Sequence, residues 1–262
     1  MNTLFLILSM RYNIDYQCFT DSLSPLQIAQ TFQDTGSYYY DRNPRRSFRA
    51  LDSAAFYYQK AHVRDKQALC LQNAAFVLQE QFNQIDSSLT YINQALAIWR
   101  DLNSTMDEAN LLKYRGLLKT FLTQYASADA DILEAERLFY LKKNPYGVAV
   151  CWYDRAVLFQ KQQLLDSAAY FALRAKQFWQ TKQDTGRILG INNLLMQVRP
   201  NPDWVQEGEF LLQSEAVYWK NRCDFYQNCI DLYNKALNLE KVALYRKRLS
   251  DYLQVCKANG LN

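Results

Sequence analysis

The chain of 262 residues contains a single histidine, His62, which limits the chemistry that its side chains can perform. A zinc site of the H-E-x-x-H type needs two histidines, and a Ser–His–Asp triad would have to be built around His62 alone. The cysteines lie at positions 18, 70, 151, 223, 229 and 256, and no two of them have C-x-x-C spacing. We therefore expect no metal and no cofactor. Cys70, Cys151, Cys229 and Cys256 fall inside apolar helical stretches, so we expect these four to be buried as small apolar groups.

Neither the carboxylates nor the glycines form a catalytic pattern. Acidic pairs such as Asp129 and Asp131 are two residues apart, so on a helix their side chains point in different directions. Gly186 and Gly190 do not belong to a phosphate-binding loop, since neither G-x-G-x-x-G nor G-K-[ST] occurs there. A G-x-S-x-G nucleophile elbow is also absent from the sequence. We therefore predict that the protein is not an enzyme.

The composition favours a nearly all-helical protein. The chain has 7 glycines and 5 prolines, about 5% of its residues against an average of roughly 12%, so the turn residues of a β-sandwich or an α/β fold are scarce. Hydrophobic residues make up 49% of the chain, which is ample for a core. The formal net charge of +4 is mild and does not require a nucleic-acid partner.

A pattern of small and large residues recurs along the chain. Segments 51–61 and 165–175 both read Leu-Asp-Ser-Ala-Ala followed by two aromatic residues. They share a skeleton, small-x-x-x-large-x-x-Ala, whose spacings of four and three place the three residues on one helical face. Successive copies are 34, 40, 40 and 61 residues apart, and an apolar helical segment precedes most of them, which predicts about twelve helices in antiparallel pairs. The copies are Ala54/Tyr58/Ala61, Ser88/Ile92/Ala95, Ala128/Ile132/Ala135, Ala168/Ala172/Ala175 and Cys229/Tyr233/Ala236.

A helix–turn–helix unit with these positions resembles the tetratricopeptide repeat (TPR). In the unit at about 149–178, Trp152 takes the Trp position, Ala156 the Gly position and Phe159 the Tyr position, and Gly116 takes the Gly position of the preceding unit. The resemblance implies an all-α fold, a right-handed α-solenoid of antiparallel helix pairs. The 40-residue steps exceed the 34 residues of the family and imply either insertions or longer helices.

The sequence near the N-terminus bears on the location of the protein. No Lys or Arg precedes the apolar run at 4–8, and no small-x-small cleavage site follows it. A cytoplasmic location is therefore favoured, and an atypical export signal is the alternative. We expect no transmembrane segment.

The sequence also predicts how the chain is divided. After the break at Arg199-Pro200-Asn201-Pro202, further helices are predicted at about 204–220, 224–238 and 240–258. We therefore predict three regions: a lead segment, 1–23; TPR-like repeats, 24–198; and a degenerate repeat with a capping helix, 203–262.

The resemblance implies that the first helices of the pairs line a concave face that binds an extended peptide or a partner helix. Because apolar residues stand where the family's carboxylate clamp has an amide, we expect a mostly apolar lining in which Lys113 and Arg187 anchor an acidic or terminal group. The aligned lining positions are Asn73, Val77, Lys113, Leu117, Tyr153, Val157, Arg187 and Ile191.

Four interpretations remain open, one for the role of these residues in packing and three for the function. The predicted function is a non-catalytic scaffold that binds a protein or peptide, similar to degenerate repeats of bacterial sensor and scaffold proteins. Some of the lining residues could instead pack between repeats. The alternatives are a signalling-peptide sensor and a nucleic-acid-associated regulator that uses the basic runs at 42–49 and 246–248, although nucleic acid is not the expected partner.

Overall fold

A computed structural model of the protein describes residues 23–214 and 219–259, and these residues form twelve α-helices and no strand. The predicted all-α fold is confirmed. The predicted lead segment lies outside the described residues, except for its last residue. The helices are α1 (Pro25–Tyr39), α2 (Pro44–Lys60), α3 (Arg64–Phe82), α4 (Ile85–Asp101), α5 (Thr105–Phe121), α6 (Tyr125–Leu141), α7 (Pro145–Lys161), α8 (Leu165–Thr181), α9 (Thr185–Val198), α10 (Pro202–Leu211), α11 (Trp219–Lys235) and α12 (Leu239–Ala258).

The middle of the chain repeats with a regular period. Helices α4 to α8 each contain 17 residues, and they begin at residues 85, 105, 125, 145 and 165. A pair of helices therefore repeats every 40 residues. Since only three residues separate consecutive helices here, the 40-residue step arises from longer helices, not from insertions.

The turns between these helices share one backbone geometry. At the end of α5 the N–H of Gln124 donates to the carbonyl of Lys119 at 2.9 Å, and Thr123 adopts the left-handed conformation with φ 59°. This is the Schellman motif, in which glycine is the usual left-handed residue. Here other residues occupy that position in successive turns: His62, Asn83, Asn103, Thr123, Lys143, Gln163 and Gln183.

Thr123→Gly is expected to raise the free energy of unfolding by about 0.5–1 kcal/mol, because glycine adopts a positive φ without the steric cost that a β-branched residue carries. Urea denaturation followed by circular dichroism measures the change. The matched control is Ala130→Gly, at an exposed position inside α6, which should lower the free energy of unfolding by about 1 kcal/mol. Equal destabilisation by both substitutions would contradict the left-handed turn.

The chain divides between Lys142 and Lys143 into two compact units, unit 1 with α1–α6 and unit 2 with α7–α12. In unit 1 the second helices of the pairs bury their small and large positions as predicted, except that Ala61 follows the end of α2 and is partly exposed. The hydroxyl of Ser88, a residue with no exposed surface, donates to the carbonyl of Ala75 at 2.9 Å. Such small residues let paired helices approach closely, so the repeat skeleton identifies core residues.

Unit 2 contains an ion pair between a buried lysine and a partly exposed glutamate, and this pair connects its helices. Lys176 of α8 is only 5% exposed and pairs with Glu207 of α10. Its ammonium group lies 4.1 Å from the ring centroid of Trp204, and the amide of Asn192 donates to the same carboxylate at 3.1 Å. Because a buried charge is costly unless it is paired, these contacts specify how α8, α9 and α10 pack together.

The helix predicted over 204–220 is wrong. Helix α10 ends at Leu211, the backbone turns at 212–213, and the next described helix begins at Trp219. The predicted boundary between 198 and 203 falls in the turn that joins α9 to α10 and stays a prediction. Among the described helices, none combines the length and the apolar character that a bilayer crossing requires.

Candidate functional site

Three of the predicted lining residues, Tyr153, Arg187 and Ile191, meet at one pocket in unit 2. The pocket has a volume of about 450 Å³, which is within the range of roughly 300–1,000 Å³ that is typical of ligand sites. The other residues that line it are Val150, Trp179, Asp184, Gly186, Gly190 and Asn221.

Helical spacing brings these residues to one face. Val150 and Tyr153 are three residues apart on α7, and Arg187 and Gly190 are three apart on α9, so each pair shares a face of its helix. A Cβ atom built on Gly190 would have as its nearest neighbour the amide nitrogen of Asn221, at 3.7 Å. The missing side chain at position 190 therefore leaves open space in the pocket.

The guanidinium group of Arg187 is held from several sides. Its central carbon lies 4.5 Å from the ring centroid of Trp179 and 4.9 Å from that of Tyr146, and it donates a hydrogen bond to the Tyr146 hydroxyl. The carboxylate of Asp184 lies 3.3 Å from the Arg187 Nε and also accepts the Arg187 backbone N–H at 3.0 Å, which caps α9. Arg187 is thus ordered before any ligand arrives.

Tyr153 and Asn221 supply the pocket with neutral polar groups. Burial, together with the carboxylates of Asp154 and Asp224, raises the pKa of Tyr153 to about 12, so its hydroxyl stays protonated at neutral pH. The Asn221 amide donates to the carbonyl of Gly186 at 3.2 Å. These groups can orient the polar atoms of a ligand whose apolar part lies against the aromatic and aliphatic walls.

The pocket carries one positive and one negative side chain, Arg187 and Asp184, which pair with each other. Its charge is therefore balanced, unlike the strongly positive grooves that follow a phosphate backbone. Among the described residues, no three His, Cys, Asp or Glu side chains are grouped so that they could hold a metal ion. The arrangement fits binding of an uncharged or zwitterionic segment with an apolar side chain.

The remaining predicted lining residues lie elsewhere. Val157 is partly exposed and packs against the core of unit 2, but it does not line the pocket. In unit 1, Asn73, Lys113 and Leu117 are partly exposed on α3 and α5. Val77 has no exposed surface and packs with core residues of α2 and α3, so we leave it out of the site.

Several pocket residues were not identified from the sequence. Trp179 and Asn221 come from α8 and α11, and no spacing relates them to Arg187. Asp184 and Gly190 did carry signals, since an aspartate before a helix is a common N-cap and Leu189-Gly190 matches a TPR position. Those signals predict helix structure, however, and do not predict a pocket.

The cysteines of the described part behave as the sequence predicts. Cys70, Cys151, Cys229 and Cys256 are buried, and Cys223 is partly buried. Burial raises the pKa of the Cys70 and Cys229 thiols to about 12. At neutral pH these two thiols are protonated and do not act as nucleophiles.

No protein-family model and no curated protein sequence matches the chain. Solved structures of similar fold are found, however. The apo form of RapI superposes with a TM-score of 0.75 at 14% identity, over 98% of this chain and 100% of that one. Aspartyl phosphate phosphatase F from Bacillus subtilis gives 0.69 at 16% identity, over 88% of this chain and 61% of that one.

A Rap protein complexed with competence and sporulation factor gives a TM-score of 0.67 at 16% identity, over 89% of this chain and 65% of that one. This chain therefore spans less than two thirds of two of these proteins and the whole of RapI. At such low identity the similarity concerns the fold. The protein has the TPR-like helical-repeat fold that the sequence predicts.

Proposed function

We propose that the protein is a peptide-binding repeat protein, and that the unit 2 pocket holds one large apolar side chain of the peptide. The observation that carries this proposal is the meeting of Tyr153, Arg187 and Ile191 at a single pocket. These residues were selected from the TPR pattern alone, and they come from two different helices. A pocket that combines aromatic walls with a few fixed polar groups is the usual form of a specific ligand site.

The polar groups that line the pocket support a peptide as the ligand. The Asn221 carboxamide and the Tyr153 hydroxyl offer donors and acceptors suited to a peptide backbone. The ordered guanidinium of Arg187 can bind a carboxylate of the peptide in exchange for part of its contact with Asp184. The Rap protein solved with competence and sporulation factor supports the view that this fold can hold a bound partner.

Asn73, Lys113 and Leu117 lie at the corresponding positions of their own helices in unit 1 and are partly exposed. They form no part of the pocket, and their predicted role in peptide binding stays a prediction.

Gly190→Leu is expected to abolish most peptide binding, because the new side chain fills the open space above α9. Random heptapeptides are first selected on phage against the wild-type chain, and the dissociation constants of the enriched peptides are then measured. The affinity of Gly190→Leu should be at least about tenfold weaker, which corresponds to roughly 1.4 kcal/mol. Circular dichroism checks that the variant is folded.

Gln177→Leu is the matched control, since it adds a leucine at an exposed position of α8 outside the pocket. It should bind the selected peptides with wild-type affinity. Equal affinity for Gly190→Leu and the wild type would rule out this pocket as the site. Failure to enrich any peptide above an unrelated carrier protein would contradict the peptide-binding function itself.

A further inference from the structure

Four exposed arginines, Arg42, Arg45, Arg46 and Arg49, lie around the start of α2 in unit 1. We refer to them as the arginine patch. Among the described residues, no carboxylate forms an ion pair with Arg42, Arg45 or Arg49. Arg42, Arg45 and Arg49 thus carry three positive charges within eight residues of the sequence.

The patch is electrostatically unfavourable for the chain on its own. The first turn of α2 contains no acidic residue and includes Arg45 and Arg46, although the positive end of the helix dipole favours negative charge there. Arg45 and Arg49 are also four residues apart on one helix face, where like charges repel. A bound anionic partner would remove both costs.

Two of the arginines are ordered by tyrosines of α1. The Arg42 guanidinium lies 4.4 Å from the ring centroid of Tyr38 and donates to the Tyr38 carbonyl at 2.8 Å. The Arg46 guanidinium lies 5.3 Å from the Tyr39 ring centroid and donates to the Tyr39 hydroxyl at 3.3 Å. Stacking fixes the plane of a guanidinium, and the other N–H groups of Arg42 remain at its edge for two-point contact with a carboxylate. Less side-chain freedom is then lost on binding.

We propose that the arginine patch is a docking surface for an acidic segment of a partner protein. The rise of about 1.5 Å per residue puts Arg45 and Arg49 about 6 Å apart along the helix axis. Carboxylates two residues apart in an extended segment lie on the same side of it, roughly 6.6 Å apart at about 3.3 Å per residue, and match this separation. The surface is separate from the unit 2 pocket and is independent of the proposed peptide site.

A protein segment fits the patch better than nucleic acid does. Single strands bind along extended basic grooves and stack their bases on open aromatic rings. Here Tyr38 and Tyr39 contact each other edge to face at 4.9 Å, and each ring has a guanidinium over it. The whole chain carries a net charge of only +4, well short of the strongly basic charge that is typical of a nucleic-acid-binding protein.

The test measures the binding of a fluorescein-labelled octaglutamate peptide to the full chain by anisotropy, at about 50 mM and about 200 mM salt. The variant is Arg45→Gln/Arg49→Gln, which keeps side-chain length and helix propensity. The control, Arg246→Gln/Lys247→Gln, removes the same charge from exposed positions on α12. We expect the patch variant to bind about tenfold more weakly and the control to stay within about twofold of wild type.

Three results would overturn the proposal. The first is the absence of octaglutamate binding by the wild type at the lower salt concentration. The second is an equal loss of affinity in the patch variant and the control, which would mean that only net charge matters. The third is tighter, patch-dependent binding of an oligothymidylate or of phosphatidylserine vesicles, which would assign the surface to a different class of partner.

Discussion

Gly116→Val is expected to lower the free energy of unfolding by about 3 kcal/mol, at the upper end of the range for an overpacked core. A Cβ atom on Gly116 would lie 2.6 Å from Cγ1 of Ile132 and 2.9 Å from the carbonyl oxygen of Ala128. The Ile132 side chain can rotate away, but the Ala128 oxygen belongs to the backbone of α6 and cannot. Helices α5 and α6 would therefore have to separate.

The control is the same substitution at a helical glycine with open space around it, Gly190→Val. The nearest atom to a Cβ there is 3.7 Å away, so the free energy of unfolding should stay within about 0.5 kcal/mol of the wild-type value. Urea denaturation followed by circular dichroism compares the two variants. If Gly116→Val unfolds at the same urea concentration as Gly190→Val, the close approach of α5 and α6 is wrong.

The Gly116 contact explains why the repeat could be predicted from the sequence. The TPR pattern needs a small residue on the first helix opposite a small and a large residue on the second, and Gly116, Ala128 and Ile132 are these three. Each position is constrained by packing, and packing is visible as residue size at fixed spacing. This constraint alone was enough to predict the pairing of the helices and the residues of the core.

The helix ends were less visible in the sequence. Glycine usually indicates where a helix stops, but here Thr123, Lys143 and Gln163 occupy left-handed positions because the hydrogen bonds of the turn impose that conformation. The end of α10 was likewise not indicated by any residue between Leu211 and Trp219. With neither glycine nor proline in that stretch, the apolar spacing alone favoured one continuous helix.

The pocket could be predicted only in part. Tyr153, Arg187 and Ile191 follow from their repeat positions, since equivalent positions of first helices lie on one face. The contacts that hold the Arg187 guanidinium in place come from Tyr146 and Trp179, which lie on other helices. No local spacing encodes these contacts, because they depend on how three helices pack in space.

Asp131→Ala is expected to destabilise unit 1 by about 3 kcal/mol, because it leaves two cations without their counter-charge in a largely buried place. Asp131 is 7% exposed. Its carboxylate accepts two hydrogen bonds from Arg115, at 2.8 and 2.6 Å, and lies 2.7 Å from the Lys119 ammonium. Arg115 also donates to the carboxamide of Asn93 at 2.9 Å, so the loss would loosen contacts among α4, α5 and α6.

The exposed pair of Glu134 and Arg137 on the same helix supplies the matched control. Glu134→Gln should unfold at the wild-type urea concentration, since water and salt screen a surface pair. Adding Arg115→Met to Asp131→Ala removes one of the two stranded cations, so the double variant should recover part of the lost stability. If the losses in free energy of unfolding caused by Asp131→Ala and by Arg115→Met simply add in the double variant, Asp131 acts through packing and not through charge.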